Sequence, residues 1–399
     1  MLNKETYCSY PFNTFFLGSD GCVKFCCSSR KDLGNINEQP LEEIIQGDVA
    51  QSVREHILSN TWEMEHCAQC HIIESRGGKS ERVNAIPHFW DEHNSEVKDK
   101  TFFKLTKLDI RWSNICNLSC NYCYPFFSSQ WAKILNDPVN NNNKEANEKT
   151  FEYIEKNKNH IEHIQMLGGE PLLQRQNIKL FEMMKDQEIK YYILTNLSVD
   201  LEKNEVFKKI LEMKNPNLSV AIGVSFENIG DRFEYVRNGA KWDVFVKNLE
   251  IISKHGFEIN AHPVFCIYSG LYMKEYYDWC YESGFFSDIF WTNLNNIAAL
   301  DIFSYNNEVI QKVIDEIDRV LDKYKIDYNT TESHLISYKD HLVQKMEKRN
   351  NTIITTSRAD EKFIKEFKLF NDNLEGKWHP NKKHSIFDLW PDLLYLKED

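Results

Sequence analysis

No stretch of this 399-residue sequence strings together about 18 apolar side chains, so no membrane-spanning helix is expected. The opening MLNKETYCSYPF lacks a basic segment followed by an apolar one, and no secretory signal is expected from it. Positive charge is also scarce. Against 60 Asp and Glu there are 48 Lys and Arg, which gives a net charge of −12 and a pI near 5.6. That balance disfavours broad contact with nucleic acid, which wants a basic face, although an acidic chain can still carry a local basic groove. There is no internal repeat, and low complexity is confined to NDPVNNNNKEANEK (136–149), which reads as a solvated loop. These absences point to a soluble, cytoplasmic protein. With 42% hydrophobic residues, the chain can build a sizeable core and more than one folding unit.

What the sequence has in quantity is cysteine. Eleven occur, and none lies after Cys280. In a reducing compartment such thiols mean metal or redox chemistry more often than disulfides. Six of them (Cys8, Cys22, Cys26, Cys27, Cys67, Cys70) fall in the first 70 residues. Three more, Cys116, Cys120 and Cys123, sit in NICNLSCNYCYPF with the spacing C-x3-C-x2-C. A structural zinc wants four closed ligands. Three thiolates in one tight loop suit a [4Fe–4S] cubane with three irons anchored and one left open. On spacing alone, a three-thiolate zinc site completed by a distant histidine is the alternative.

Between about residues 103 and 300, short apolar runs alternate with amphipathic stretches. KLTKLDIRW, HIEHIQML, IKYYILT, LSVAIGVSF, FEINAHPVF and SDIFWTN are strand candidates. IKLFEMMKDQ and WDVFVKNLEIISKHG read as helices, the second closed by Gly256. Six strands separated by helices imply parallel βα units with right-handed crossovers, in an open sheet or a partial barrel. Ligands of such folds sit at the carboxyl ends of the strands. The three-cysteine motif follows the first strand. HIQMLGGEPLL ends the second in Gly168-Gly169-Glu170-Pro171. Two glycines allow close approach of backbone, and Glu170 can accept a charge-assisted hydrogen bond from an ammonium. Alone, this tetrapeptide is usually a strand-to-helix turn.

At the N-terminus, Ser19-Asp20-Gly21 is a hairpin signal that would bring Cys8 near Cys26 and Cys27. Cys67 and Cys70 form a C-x2-C knuckle. Thiolates from a hairpin and a knuckle make a closed site for zinc or for an iron–sulfur cluster. Gly78-Lys79-Ser80 is not a phosphate loop, because Ile73 stands where that motif needs glycine.

The motif C-x3-C-x-aromatic-C, with Tyr122 as the aromatic, resembles the radical S-adenosylmethionine (radical SAM) superfamily. The resemblance implies an α/β fold, a partial (βα)6 TIM-like barrel. Cys116, Cys120 and Cys123 would anchor a [4Fe–4S] cluster whose open iron is chelated by SAM. Reductive cleavage would then release a 5′-deoxyadenosyl radical that abstracts a substrate hydrogen. Gly168, Gly169, Glu170 and Pro171 match the GGE motif that receives the methionine amino group. Thr195 and Asn196 in ILTNLS would face the pocket, Ser225 would lie near the ribose, and Arg237 matches the family arginine. Glu227-Asn228 departs from the usual Asp-Gly, which puts that loop in doubt.

The first 70 residues resemble the twitch or SPASM auxiliary-cluster module, here ahead of the barrel rather than after it. Its implied ligands are Cys8, Cys26, Cys67 and Cys70, with Cys27 and Cys22 as alternates, holding a second cluster or zinc. The expected domains are an auxiliary module over 1–100, the barrel over 101–300 and a helical extension over 301–399. The expected partners are a peptide or small-molecule substrate and a flavodoxin- or ferredoxin-like reductant, without membrane or nucleic acid. Competing readings are a non-catalytic zinc- or cluster-binding interaction protein and an RNA-modifying radical enzyme. Asn260, His262, Cys266, Trp291, Asn293 and Asn295 are candidate pocket residues at later strand ends, each more often structural.

Overall fold

In the computed structural model, residues 3–75, 80–83, 85, 95–137, 144–213, 219–294, 297–326, 334–350 and 356–397 are described. Gly78, Lys79, Asn295 and 138–143 of the Asn-rich patch lie outside them.

Runs of fully buried residues form the first strands. β1 (Thr14–Leu17) is buried at all four positions, and β2 (Cys22–Lys24) folds back antiparallel on it. The turn between them is the expected hairpin: Asp20 accepts the Cys22 N–H at 3.1 Å, and Gly21 takes φ +88°. β3 (Gly34–Asn35) pairs antiparallel with β2. β4 (Lys107–Ile110) lies parallel to β1 on one side and to β5 (His163–Met166) on the other, and β6 (Lys190–Thr195) runs parallel to β5. The helices Lys144–Asn157 and Gln176–Met184 connect these parallel strands.

The residues group into two compact units. The first comprises Met1–Cys116, Pro125–Thr195 and Asp200–Ala221; the second comprises Asn117–Tyr124, Asn196–Val199 and Ile222–Asp399. In the first, the strand order is β3-β2-β1-β4-β5-β6. The second holds the end of β7 (Ser219–Val224), β8 (Glu258–Ala261), β9 (Val264–Phe265), β10 (Asp288–Ile289) and β11 (Thr292–Asn293). There β8 stands between β7 and β10, and β9 pairs separately with β11. All six strands expected from the alternation are present.

The helix Trp242–Lys254 buries Phe245, Asn248, Leu249 and Ile252, one face at three- and four-residue spacing. It is closed by Gly256 at φ +67°. Asn248 adds a tie that the pattern did not show, donating to the carbonyls of Leu197 and Val199 at 2.8 and 2.7 Å. The helix Asn307–Tyr324 opens the helical C-terminal region. Asn306 caps it at the Val309 N–H (3.0 Å), and six aliphatic side chains are buried along one face. Each is worth roughly 1.5–3 kcal/mol, which is what holds the helix to the unit. Helices His334–Asn350 and Thr356–Asp372 follow. Among the described residues no helix is long and apolar enough to cross a membrane.

One local expectation changes. Cys67 and Cys70 do not sit in a knuckle but on the helix Met64–Ser75, three residues apart and therefore on one face. Glu63 starts that helix by accepting the N–H groups of His66 and Glu65, at 2.6 and 3.3 Å.

Candidate cofactor and cluster sites

In the first unit, the segment after β5 docks onto the chain that leads into Cys116. Gly169 donates to the Ser113 carbonyl at 3.2 Å and Glu170 to that of Ile115 at 2.8 Å. A Cβ on Gly169 would collide with the carbonyls of Asn114 and Ile115, and Gly168 holds φ +117°. The close approach for which glycine is needed is thus to the chain's own backbone. Cys116 is buried and is held from both sides, its N–H and its carbonyl each 3.1 Å from the Ser129 hydroxyl.

Glu170 is completely buried. Its Oε1 accepts the Leu172 N–H at 3.0 Å and the Thr195 hydroxyl at 2.7 Å. It thereby caps the short turn Pro171–Leu173 while pointing where β6 ends. Gln174, not singled out from the sequence, accepts the Trp112 N–H at 3.1 Å and donates to the Ser113 carbonyl at 3.3 Å.

In the second unit, residues 117–124 carry Cys120, Tyr122 and Cys123. The Cys123 N–H closes a tight turn on the Cys120 carbonyl at 2.9 Å. Ser119 and Asn121, on either side of Cys120, donate to the carbonyls of Asn238 and Val236 at 3.0 and 2.8 Å. Tyr122 donates to Glu227 Oε2 at 3.1 Å. Arg237 reaches the same oxygen at 2.7 Å, and its other terminal nitrogen lies 4.0 Å from the Cys120 sulfur. Burial works against the guanidinium, but Glu227, then Tyr122 and Cys120, outweigh it and raise its pKa. Arg237 is therefore a buried, paired cation and not a solvated charge. Glu227, which looked like a departure from pattern, is its partner.

Three atoms of this cluster, Glu227 Oε1, Asn228 Nδ2 and Arg237 Nε, are buried with no hydrogen-bond partner among the described residues. Each such group costs about 1–3 kcal/mol unless something polar meets it. Asn196 is buried, donates to Asn117 Oδ1 at 3.0 Å and accepts the Ser198 N–H at 2.8 Å. Within the second unit it ties the segment Asn196–Val199 to the cysteine loop. Ser225 is half-buried, just beyond β7.

A separate cavity in the first unit is lined by Cys8, Cys26, Cys67 and Cys70, together with Tyr10, Glu63 and Arg82. The Cys8 thiol is pushed well above its ordinary value by burial and then by Cys67 and Cys70. Cys26 is pushed up by burial, then by Cys27, Cys8 and Cys70. Cys67 rises to about 12 through burial, Glu63 and Cys70. These thiols repel one another as thiolates, and Arg82 on the cavity wall offsets this at Cys8 and Cys67 without overcoming it, so as a donor set they suit a metal cluster. They line a wall and do not form a tight cage: among the described residues no three Cys, His, Asp or Glu side chains are grouped to hold a single ion.

Cys22 and Cys27 do not line this cavity. Cys22 faces the hairpin turn, raised to about 12 by burial and Asp20. Cys27 is raised to about 11 by burial, Asp109 and Glu81. Of the later candidates, Asn260 is buried and donates to Glu258 at 3.0 Å. His262 is half-buried, and desolvation lowers its pKa to about 4, while the Trp291 indole donates to Tyr277 at 2.9 Å.

Residues 110–282 match the radical SAM superfamily, and residues 8–71 match the iron–sulfur cluster-binding domain called SPASM. The chain is similar to GTP 3′,8-cyclase of Synechocystis sp., 25% identical over 162 residues, which covers 40% of this chain and 46% of that protein. It is 32% identical over 144 residues to an uncharacterized protein of Methanocaldococcus jannaschii, covering 33% and 43%. The chain thus spans less than half the length of these curated relatives. Among solved structures, anSMEcpe with bound AdoMet has a TM-score of 0.40 and 19% identity, covering 53% of this chain and 59% of that one. Streptococcus suis SuiB bound to its precursor peptide SuiA has a TM-score of 0.41 and 16% identity, covering 72% and 63%.

Proposed function

We propose that this chain, which belongs to the radical SAM superfamily and carries an iron–sulfur domain ahead of its radical SAM domain, is an enzyme that abstracts hydrogen from a peptide or small-molecule substrate. Membership implies S-adenosylmethionine on a [4Fe–4S] cluster, a pair that when bound and reduced supplies a 5′-deoxyadenosyl radical, and the N-terminal domain implies auxiliary iron–sulfur. In this reading Cys116, Cys120 and Cys123 anchor the irons of the first cluster. Cys8, Cys26, Cys67 and Cys70 anchor the auxiliary one. Glu170 accepts the methionine ammonium, its carboxylate held in place by the Leu172 N–H and the Thr195 hydroxyl. The unmet polar atoms of Glu227, Asn228 and Arg237 are further ligand-facing groups. A flavodoxin- or ferredoxin-like protein supplies the electron, in a reducing cytoplasm compatible with eleven free thiols.

The observation that carries the reading is Glu170. A carboxylate with no exposure, preset by two donors and joined to the segment entering Cys116, is costly as a mere turn and apt as an ammonium receptor. The test is anaerobic reconstitution with iron and sulfide, then SAM and dithionite, with 5′-deoxyadenosine measured. The protein should be brown, carry roughly eight irons if both sites hold four, and release the nucleoside. Replacing Cys116, Cys120 and Cys123 together by Ala should abolish release and retain about half the iron. A Cys67→Ala, Cys70→Ala variant should lose the other half and be less soluble, because metal there is coupled to folding. Nucleoside release from the triple variant would refute the assignment, and a colourless zinc protein would favour the non-catalytic reading.

A further inference from the structure

The cavity lined by Cys8, Cys26, Cys67 and Cys70 has a fifth group able to meet a metal centre, His66. It is buried, at 5% exposure, and helical spacing explains its place on the wall. In the helix Met64–Ser75 it directly precedes Cys67 and stands one turn before Cys70, so His66 and Cys70 share a face. The ring is held from behind. Its Nδ1 meets Glu63 Oε2 at 2.9 Å, and the same oxygen accepts the His66 backbone N–H at 2.6 Å. The Arg30 N–H donates to the His66 carbonyl at 3.2 Å, which pins the segment following Cys26 to the helix at this residue. The other ring nitrogen is unmet. Among the described residues, Nε2 is the one buried side-chain nitrogen or oxygen of the cavity lining without a hydrogen-bond partner. Other polar groups of the wall are already engaged. Glu81 accepts the Tyr10 hydroxyl at 2.7 Å, and Arg82 donates to Glu74 and to the carbonyls of Lys4 and Tyr7. A ring nitrogen this deeply buried is costly to leave without a partner.

We propose that His66 touches the auxiliary centre as a hydrogen-bond donor, Nε2–H to one of its sulfurs, with Glu63 behind it as the carboxylate that holds the ring. This rests on the auxiliary cluster of the function proposed above. The inventory of donors decides the role. Four thiolates take the four corners of a cubane, so a fifth group has no iron left to bind. Nor does His66 complete a site for a single ion, since among the described residues no three such side chains are grouped for one. What a cluster still presents to a neighbour is sulfur, which offers lone pairs and no proton. A carboxylate likewise only accepts. Both ring nitrogens of His66 therefore carry protons, and the imidazolium is balanced by Glu63 beside it. An N–H···S bond stabilises negative charge on the sulfur, most of all when the cluster holds the extra electron, so it raises the reduction potential.

The test uses the full-length protein with isotopically labelled histidine, reconstituted anaerobically with iron and sulfide and then reduced. The auxiliary signal is the one that the Cys116, Cys120, Cys123 triple Ala variant retains. Pulsed electron paramagnetic resonance should show one weakly coupled histidine nitrogen and, after exchange into deuterated water, a coupled deuteron. His66→Phe should keep its iron, lose both couplings and move the auxiliary midpoint to more negative potential. His66→Gln, whose amide places a donor near the Nε2 position, should lose the nitrogen coupling, keep the deuteron and recover part of the midpoint. His71→Phe is the control, since His71 is on the same helix but outside the cavity lining, and it should match the wild type. If His66→Phe sheds iron, the labelled wild type and His66→Gln decide. A strong nitrogen coupling would make His66 an iron ligand and overturn the donor role. So would a midpoint unmoved in His66→Phe, or moved equally in His71→Phe. A triple variant with no iron–sulfur signal brings down the auxiliary cluster itself, before any His66 variant is compared.

Discussion

Glu227→Gln probes the second unit where it is most sensitive. The substitution keeps the shape but removes the charge that Arg237 meets at 2.7 Å, and both side chains are essentially shielded from water, at 0% and 4% exposure. Removing one member of a buried pair leaves the other charge uncompensated and costs about 3–5 kcal/mol. The Tyr122 hydroxyl, 3.1 Å from the same oxygen, loses its charged acceptor as well, a change of about 1 kcal/mol on the scale of such bonds. Arg237→Met should cost a similar amount by stranding Glu227. The double variant should cost clearly less than the sum, because an apolar pair strands neither charge. Urea unfolding of the intact chain under anaerobic conditions, followed by circular dichroism, gives all four corners of the cycle. Single changes below about 1 kcal/mol, or strict additivity, would mean that water reaches the pair and that Arg237 is an ordinary surface charge.

Other expectations follow from the first unit. Glu170→Gln should leave the fold nearly intact, because an amide oxygen can still accept from Leu172 and Thr195, yet weaken SAM binding by about 1.5–3 kcal/mol. Equilibrium dialysis of the reconstituted protein measures this, and unchanged affinity would reduce the segment to a turn. Gly169→Ala should cost about 1–3 kcal/mol and lower iron retention, because its methyl group must displace the carbonyls of Asn114 and Ile115 just before Cys116. Normal iron content in that variant would show that the loop yields without consequence.

Much of the fold was legible because the strands are short apolar runs bounded by helices whose buried residues recur at three and four positions. Period and order are local properties of the text. The cysteine motif and Gly168-Gly169-Glu170 were legible for the same reason, since each is contiguous. What escaped depends on pairs distant in sequence. Glu227 read as a fault in a familiar pattern, because nothing local shows that Arg237 and Tyr122 share its oxygen. Gln174 is a plain polar residue until Trp112 and Ser113 come beside it. The C-x2-C pair reads as a knuckle in sequence because two thiols three apart serve a turn and a helix face equally well, and the Glu63 cap that decides for the helix is a weak signal.

The tail was least legible of all. His379, Lys382 and Glu375 lie in a stretch of mixed helix and loop with no motif, and their partners, Asn238 and Tyr235, lie about 140 residues earlier. The contrast with the motif has a physical basis. The three cysteines of the C-x3-C-x2-C motif come from one short loop, so their spacing is written in the sequence. Groups that brace that loop at one remove, as His379 does through Asn238 and Ser119, need only arrive from some direction. The chain can deliver them from anywhere, and here they come from its last 25 residues or so.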